Sequence, residues 1–149
     1  MYISEKLMSA DFEKYLRSMV GNTYYKEWQG LFGIPDYVCF SKQGDNISVV
    51  SFELKLTDWR GALVQAFRYK SFSDYSYVVL PKETAIKASE NQSIFEQYGI
   101  GLASFNGNSY DIIYRPCRVA PYSNRLREIA EGRIKRSRKR AINSVNSIL

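Results

Sequence analysis

Apolar residues Leu7, Met8, Phe12, Leu16 and Met19 recur at steps of three and four, which predicts a helix from about Ile3 to Val20. Gly21-Asn22 closes it. Residues 23–28 (Thr-Tyr-Tyr-Lys-Glu-Trp) favour a short strand. Tyr37-Val38-Cys39-Phe40 reads as an apolar strand and Ile47 to Leu56 as a longer one. Thr57-Asp58 offers a cap for a helix running to about Phe72. Tyr75 to Leu80 is a buried strand stopped by Pro81, and a helix follows from about Thr84 to Tyr98, ending at Gly99. Residues 100–105 and 109–114 are strands joined by Asn106-Gly107-Asn108, a hairpin signal. Pro121 opens a long helix whose stripe is Leu126, Ala130, Ile134, Ala141, Val145 and Ile148. This order predicts an α/β fold, with a mixed central sheet flanked by helices.

A chain of 149 residues supplies one domain's core. With 45% hydrophobic and 15% aromatic residues it is not the composition of a disordered chain. No apolar run approaches the roughly 18–20 residues of a membrane span. The opening Met1-Tyr2-Ile3-Ser4-Glu5-Lys6 lacks the basic-then-apolar order of a secretory signal. Cys39 and Cys117 sit in no metal-like spacing and read as reduced thiols, so a cytoplasmic location is expected. The absence of histidine excludes Ser-His-Asp triads, Cys-His dyads and His-ligated zinc.

The net charge of +6 is uneven. Residues 115–149 hold ten basic side chains against Glu128 and Glu131, a balance of +8, while the first 114 residues carry −2. A nearly neutral body with a basic tail suggests a polyanionic partner, above all nucleic acid. The bland alternative is a solvated helix. The tail's apolar stripe would dock on the body, or on a second copy in a homodimer. No Trp or Phe lies in the tail, so a membrane-surface helix is disfavoured.

Chemistry concentrates between Gly33 and Lys55. Glu53 and Lys55 point to one face of their strand, and Phe52 and Leu54 to the other. Gly44-Asp45 is an acceptable two-residue hairpin loop, in which opposed residue numbers sum to 89. Asp36 then falls opposite Glu53. Two adjacent carboxylates repel unless a cation lies between them. Their oxygens suit Mg²⁺ or Mn²⁺, and a nearby lysine can orient water or neutralise a phosphate. The competing reading is a surface hairpin on which Lys55 pairs with both acids.

Gly-Ile-Pro-Asp, followed after about 16 residues by Glu-Leu-Lys on a strand leading into a helix, resembles the PD-(D/E)XK nuclease superfamily. The motif residues are Pro35-Asp36 and Glu53-Leu54-Lys55, and the similarity spans residues 3 to about 105. Gln65 and Tyr69, at i and i+4, are similar to the QxxxY motif of its RecB-like branch. The chain lacks the cysteine cluster and upstream histidine of many members. The resemblance implies a restriction-endonuclease-like fold over residues 1–120, with residues 121–149 as a basic helical tail. It implies a metal at Asp36, Glu53 and Leu54, with Lys55 assisting water and Gln65 and Tyr69 positioning DNA or the reacting phosphate. Glu5, turned inward by the first helix, is the expected accessory acid, with Glu27 its competitor. The expected activity is that of an endonuclease hydrolysing DNA phosphodiester bonds with Mg²⁺ or Mn²⁺. A ribonuclease and a non-catalytic DNA-binding or assembly subunit remain the alternatives.

Overall fold

The computed structural model describes residues 2–140 and 143–149. Its elements are α1 (Glu5–Val20), β1 (Tyr24–Lys26), β2 (Tyr37–Gln43), β3 (Asn46–Leu54) and α2 (Trp59–Tyr69). There follow β4 (Tyr75–Leu80), α3 (Lys82–Ser89), α4 (Gln92–Tyr98), β5 (Gly101–Phe105), β6 (Tyr110–Tyr114) and α5 (Asn124–Arg136). A 3-10 turn, Val145–Ile148, comes last. The strands form one sheet in sequence order, so the expected α/β mixed sheet is present. β1, β2 and β3 pair antiparallel, β3, β4 and β5 parallel, and β6 returns antiparallel. Each parallel step is bridged by helix, as a parallel connection requires.

The hairpin register agrees with the turn argument. Gln43 pairs with Asn46 around Gly44-Asp45, and the ladder runs on to Tyr37 opposite Phe52. Gly44 has φ +62° and Asp45 does not share it, as a turn with glycine first requires.

One face of the sheet carries α1. Its buried stripe is Met8, Phe12, Leu16 and Val20, and Phe12 meets Tyr37, Phe52 and Phe105 at 5.6, 5.3 and 5.2 Å. The other face carries α2, α3, α4 and α5 over Val49, Val78, Leu80 and Leu102. Asp58, not Thr57, caps α2, accepting from the Gly61 amide at 2.9 Å. The helix expected over 84–98 is broken into α3 and α4 at Glu90-Asn91.

The C-terminal segment corrects the expectation of one long helix. Ser123 caps α5 at Leu126, and the helix stops at Ser137, whose backbone is extended. Ala130 and Ile134 are buried on the α2 face, whereas Val145 and Ile148 join the α1 face. The segment therefore packs on both sides of the sheet; Ala141 lies outside the described residues. Its basic side chains divide accordingly. Arg127 donates to Asp74 at 3.0 Å and to the Phe72 and Ile47 carbonyls, and Arg118 lies 3.3 Å from Asp74. Arg133 and Lys139 donate to the carbonyls of Gln29 and Tyr24.

Asp74 is 4% exposed and also accepts from the Val49 amide at 2.8 Å. Asp74→Ala would strand a largely buried guanidinium and an amide, so urea denaturation should show a loss of about 3 kcal/mol or more. Asp74→Asn, which keeps an acceptor, should lose less. An unchanged midpoint for Asp74→Ala would show that the contacts of Asp74 with Arg127 and the Val49 amide add nothing to stability.

Candidate active site

Asp36 immediately precedes β2, and the ladder that pairs Tyr37 with Phe52 sets it against Glu53. The turn at the far end of the hairpin thus brings the two carboxylates together. Asp36 Oδ2 accepts from the Leu54 amide at 2.7 Å, and the Asp36 carbonyl accepts from the Glu27 amide at 2.9 Å. These bonds orient the Asp36 side chain and tie β1's end to the site.

Glu53 is 4% exposed, so it is no surface residue. Tyr69 of α2, wholly buried, donates its hydroxyl to Glu53 Oε1 at 2.6 Å and lies 3.0 Å from the Ile34 carbonyl. Gly33 makes this possible. It has φ +74°, and a Cβ there would stand 2.9 Å from the Tyr69 ring. The resemblance implied Tyr69 positioning DNA or the reacting phosphate; in the structure its hydroxyl is bonded to Glu53 and the ring is buried. Gln65, one turn earlier, is half-buried.

Electrostatics follow from burial. Desolvation, then the like charge of Asp36, pushes the Glu53 carboxyl up to about 8, against the Tyr69 hydrogen bond and Lys55. Burial also raises Asp36, while the Leu54 amide and Lys55 pull it down. The buried Tyr69 hydroxyl is raised too, by desolvation and then by Glu53. Lys55 is half-buried, and among the described residues no carboxylate lies within 4 Å of its amine. The ion-paired surface hairpin is therefore not what forms.

Glu5 is exposed at the start of α1 rather than turned inward, because the buried stripe begins only at Met8. Glu5 and Glu27 nevertheless line, with Asp36 and Leu54, a concavity of about 590 Å³ rimmed by Lys6, Lys14 and Lys26. Glu27 holds φ +50°, a strained backbone for a side-chain-bearing residue. Among the described residues no three acids converge on a metal-sized centre. The pair Asp36 and Glu53 still suits one hard divalent ion, since its carboxylates repel and Mg²⁺ keeps several waters beside one or two protein carboxylates. Leu54 offers only its main-chain oxygen, its side chain being 3% exposed in the opposite layer.

No family model matches the chain, and no curated protein matches it significantly. A solved structure shares the fold: SPO1766, a protein of unknown function from Silicibacter pomeroyi, at 13% identity and TM-score 0.57. The match covers 91% of this chain and 86% of that one. At this identity it shows a common architecture only.

The buried acid has a measurable signature. Without divalent metal, native Glu53 retains up to about pH 8 a proton that the unfolded chain loses near 4.5. Its contribution to stability is therefore full below about 4.5 and is lost as pH rises through 8. Glu53→Gln should flatten that dependence and melt higher than wild type at pH 8 in EDTA. Parallel melting profiles of the two proteins from pH 5 to 8 would show that Glu53 ionises normally.

Proposed function

We propose that the chain is a divalent-metal-dependent nuclease that hydrolyses DNA phosphodiester bonds, in the manner of the PD-(D/E)XK enzymes its motif resembles. The observation that carries this is the pairing of half-buried Asp36 with buried Glu53, fixed by the Leu54 amide and the Tyr69 hydroxyl, with Lys55 two residues on and no cation within 4 Å of either carboxylate among the described residues. Asp36, Glu53 and the Leu54 carbonyl would hold Mg²⁺ or Mn²⁺. Bound there, the metal supplies charge for the phosphoryl oxygen and acidifies a coordinated water.

The chain's own residues do the rest. Lys55 orients the attacking water or balances charge on the phosphate as the phosphorus–oxygen bond to the leaving nucleotide breaks. Tyr69 keeps Glu53 in the ligating rotamer. Gln65, one turn before Tyr69 on α2, would hold the substrate strand, and Glu5 and Glu27 are the acids through which a water could be ordered in the concavity. Lys135, Arg136, Arg138 and Arg140 are exposed. Two of these, Arg138 and Arg140, with Lys42 and Lys139, line an open groove of about 660 Å³ at the far end of β2. That surface favours the rival reading of a DNA-binding subunit without catalysis, which would bind equally well in EDTA.

Incubation with linear, circular, branched and single-stranded DNA and with RNA, in Mg²⁺ or Mn²⁺, tests the proposal. Cleavage of DNA should require metal, and Asp36→Ala and Glu53→Ala should abolish it while leaving DNA binding intact or tighter. Lys55→Ala should lower turnover by about 10²-fold with metal affinity held. Full activity in the carboxylate variants would place the chemistry elsewhere.

The basic surface gives a separate expectation. Replacing Lys135, Arg136, Arg138 and Arg140 with glutamine should make log affinity fall less steeply with log salt, by roughly 0.9 per lost phosphate contact on duplex DNA. Single-turnover cleavage at saturating substrate should survive. An unchanged salt slope would mean that these charges face solvent alone.

A further inference from the structure

The loop between β1 and β2 presents two large apolar side chains to solvent beside the acid pair. Phe32 is 49% exposed and Ile34 is 51% exposed. Looseness does not explain this. Arg133 donates to the Gln29 carbonyl at 2.5 Å, and Gly33 packs against the Tyr69 ring. Tyr69 holds the Ile34 carbonyl at 3.0 Å, and Leu31 turns inward onto the α2-face core. The backbone is thus anchored on both sides of Phe32, and its ring is held outward. The Arg68 guanidinium of α2 rests over that ring, 5.7 Å from its centroid. The same Tyr69 hydroxyl that reaches Ile34 reaches Glu53, so the protruding residues and the acids share one support.

We infer that Phe32, flanked by Ile34 and Arg68, is a stacking platform for an unpaired nucleobase, which makes single-stranded DNA the preferred substrate class. The inference rests on the nuclease reading for where the phosphate lies. Phe32 lies only four residues before Asp36, so a strand whose phosphate sat at Asp36 and Glu53 would run a neighbouring nucleotide past this loop. An aromatic face is offered to that base, and Arg68 can hold its phosphate while covering the ring. Bases inside a duplex are stacked on one another and cannot reach a side chain standing beside the backbone. The cation in the patch, and its place in the loop leading to Asp36, fit a nucleotide better than an apolar subunit contact, whose centre is depleted of charge.

Binding in EDTA tests this without cleavage. The probes are a labelled oligothymidylate and a blunt duplex of the same length, titrated at several salt concentrations. Wild type should bind the single strand, and Phe32→Ala should weaken it by about tenfold or more at every salt concentration. Its salt slope and duplex affinity should not change, because stacking releases no counterions. Phe32→Trp should restore binding. Half-exposed Phe32 can be truncated without opening the core, and a melt of each variant checks it. The inference is overturned if wild type fails to bind the single strand, or if Phe32→Ala affects neither probe or both equally. It is overturned as well if Phe32→Ala instead changes the sedimentation of the protein alone, which would make the patch a contact between copies. Phe32-dependent binding without any Mg²⁺-dependent cleavage would sink the nuclease reading and leave the platform standing.

Discussion

Both faces of β2 and β3 are buried, so alternation of apolar and polar residues cannot by itself choose how the two strands align. A one-residue slip would exchange the faces of every side chain at little hydrophobic cost, since Tyr37, Val38, Cys39 and Phe40 are all apolar. The two-residue turn at Gly44-Asp45 supplies the missing constraint. Its positive φ commits the chain to a tight reversal, and the ladder then runs without a break to Tyr37 and Phe52. Asp36 meets Glu53 only because that alignment holds. The same alignment places Glu53 toward α2, within reach of Tyr69, and Phe52 toward α1, against Phe12.

The site breaks the rule that buried charges are paired. Glu53 lies on the α2 face of β3 with Val49 and Ser51, with a second carboxylate as neighbour. The fold tolerates it through protonation, which removes the charge, and through one hydrogen bond from Tyr69, which satisfies a carboxyl oxygen. An arrangement that costs stability and adds nothing to packing is the kind found where function is carried. Its rigidity comes from main-chain anchors: the Leu54 amide on Asp36, the Asp36 carbonyl on Glu27, and the Ile34 carbonyl on Tyr69. The positive φ of Glu27 and Gly33, both in the segment leading to Asp36, shows how tightly the backbone is bent before it reaches the acids.

The C-terminal segment completes the body. Arg127 threads between Asp74 and two carbonyls, and the chain then crosses from the α2 face to the α1 face, where Val145 and Ile148 close the core near α1. Part of the charge excess is therefore internal mortar. Arg127, Arg133 and Lys139 are half-buried in these contacts, so fewer cations face solvent freely than the balance of +8 suggests.

Much of this was legible from residue order. The stripe in α1, the cap before α2, the strands and the hairpin loop all follow from local rules, because turn geometry and helical spacing are properties of neighbouring residues. Asp36 and Glu53 could be paired for the same reason: only two turn residues and one ladder separate them from a local argument. Distance in the chain is where that reasoning stops. Spacing put Gln65 and Tyr69 on one side of a helix but could not say that Tyr69 faces a buried acid, since that depends on how α2 lies on the sheet. An apolar stripe continuous from Leu126 to Ile148 reads as one helix, yet its residues serve two layers on opposite sides of the sheet. Periodicity records which side chains leave water; packing of the finished sheet selects the surface each one meets.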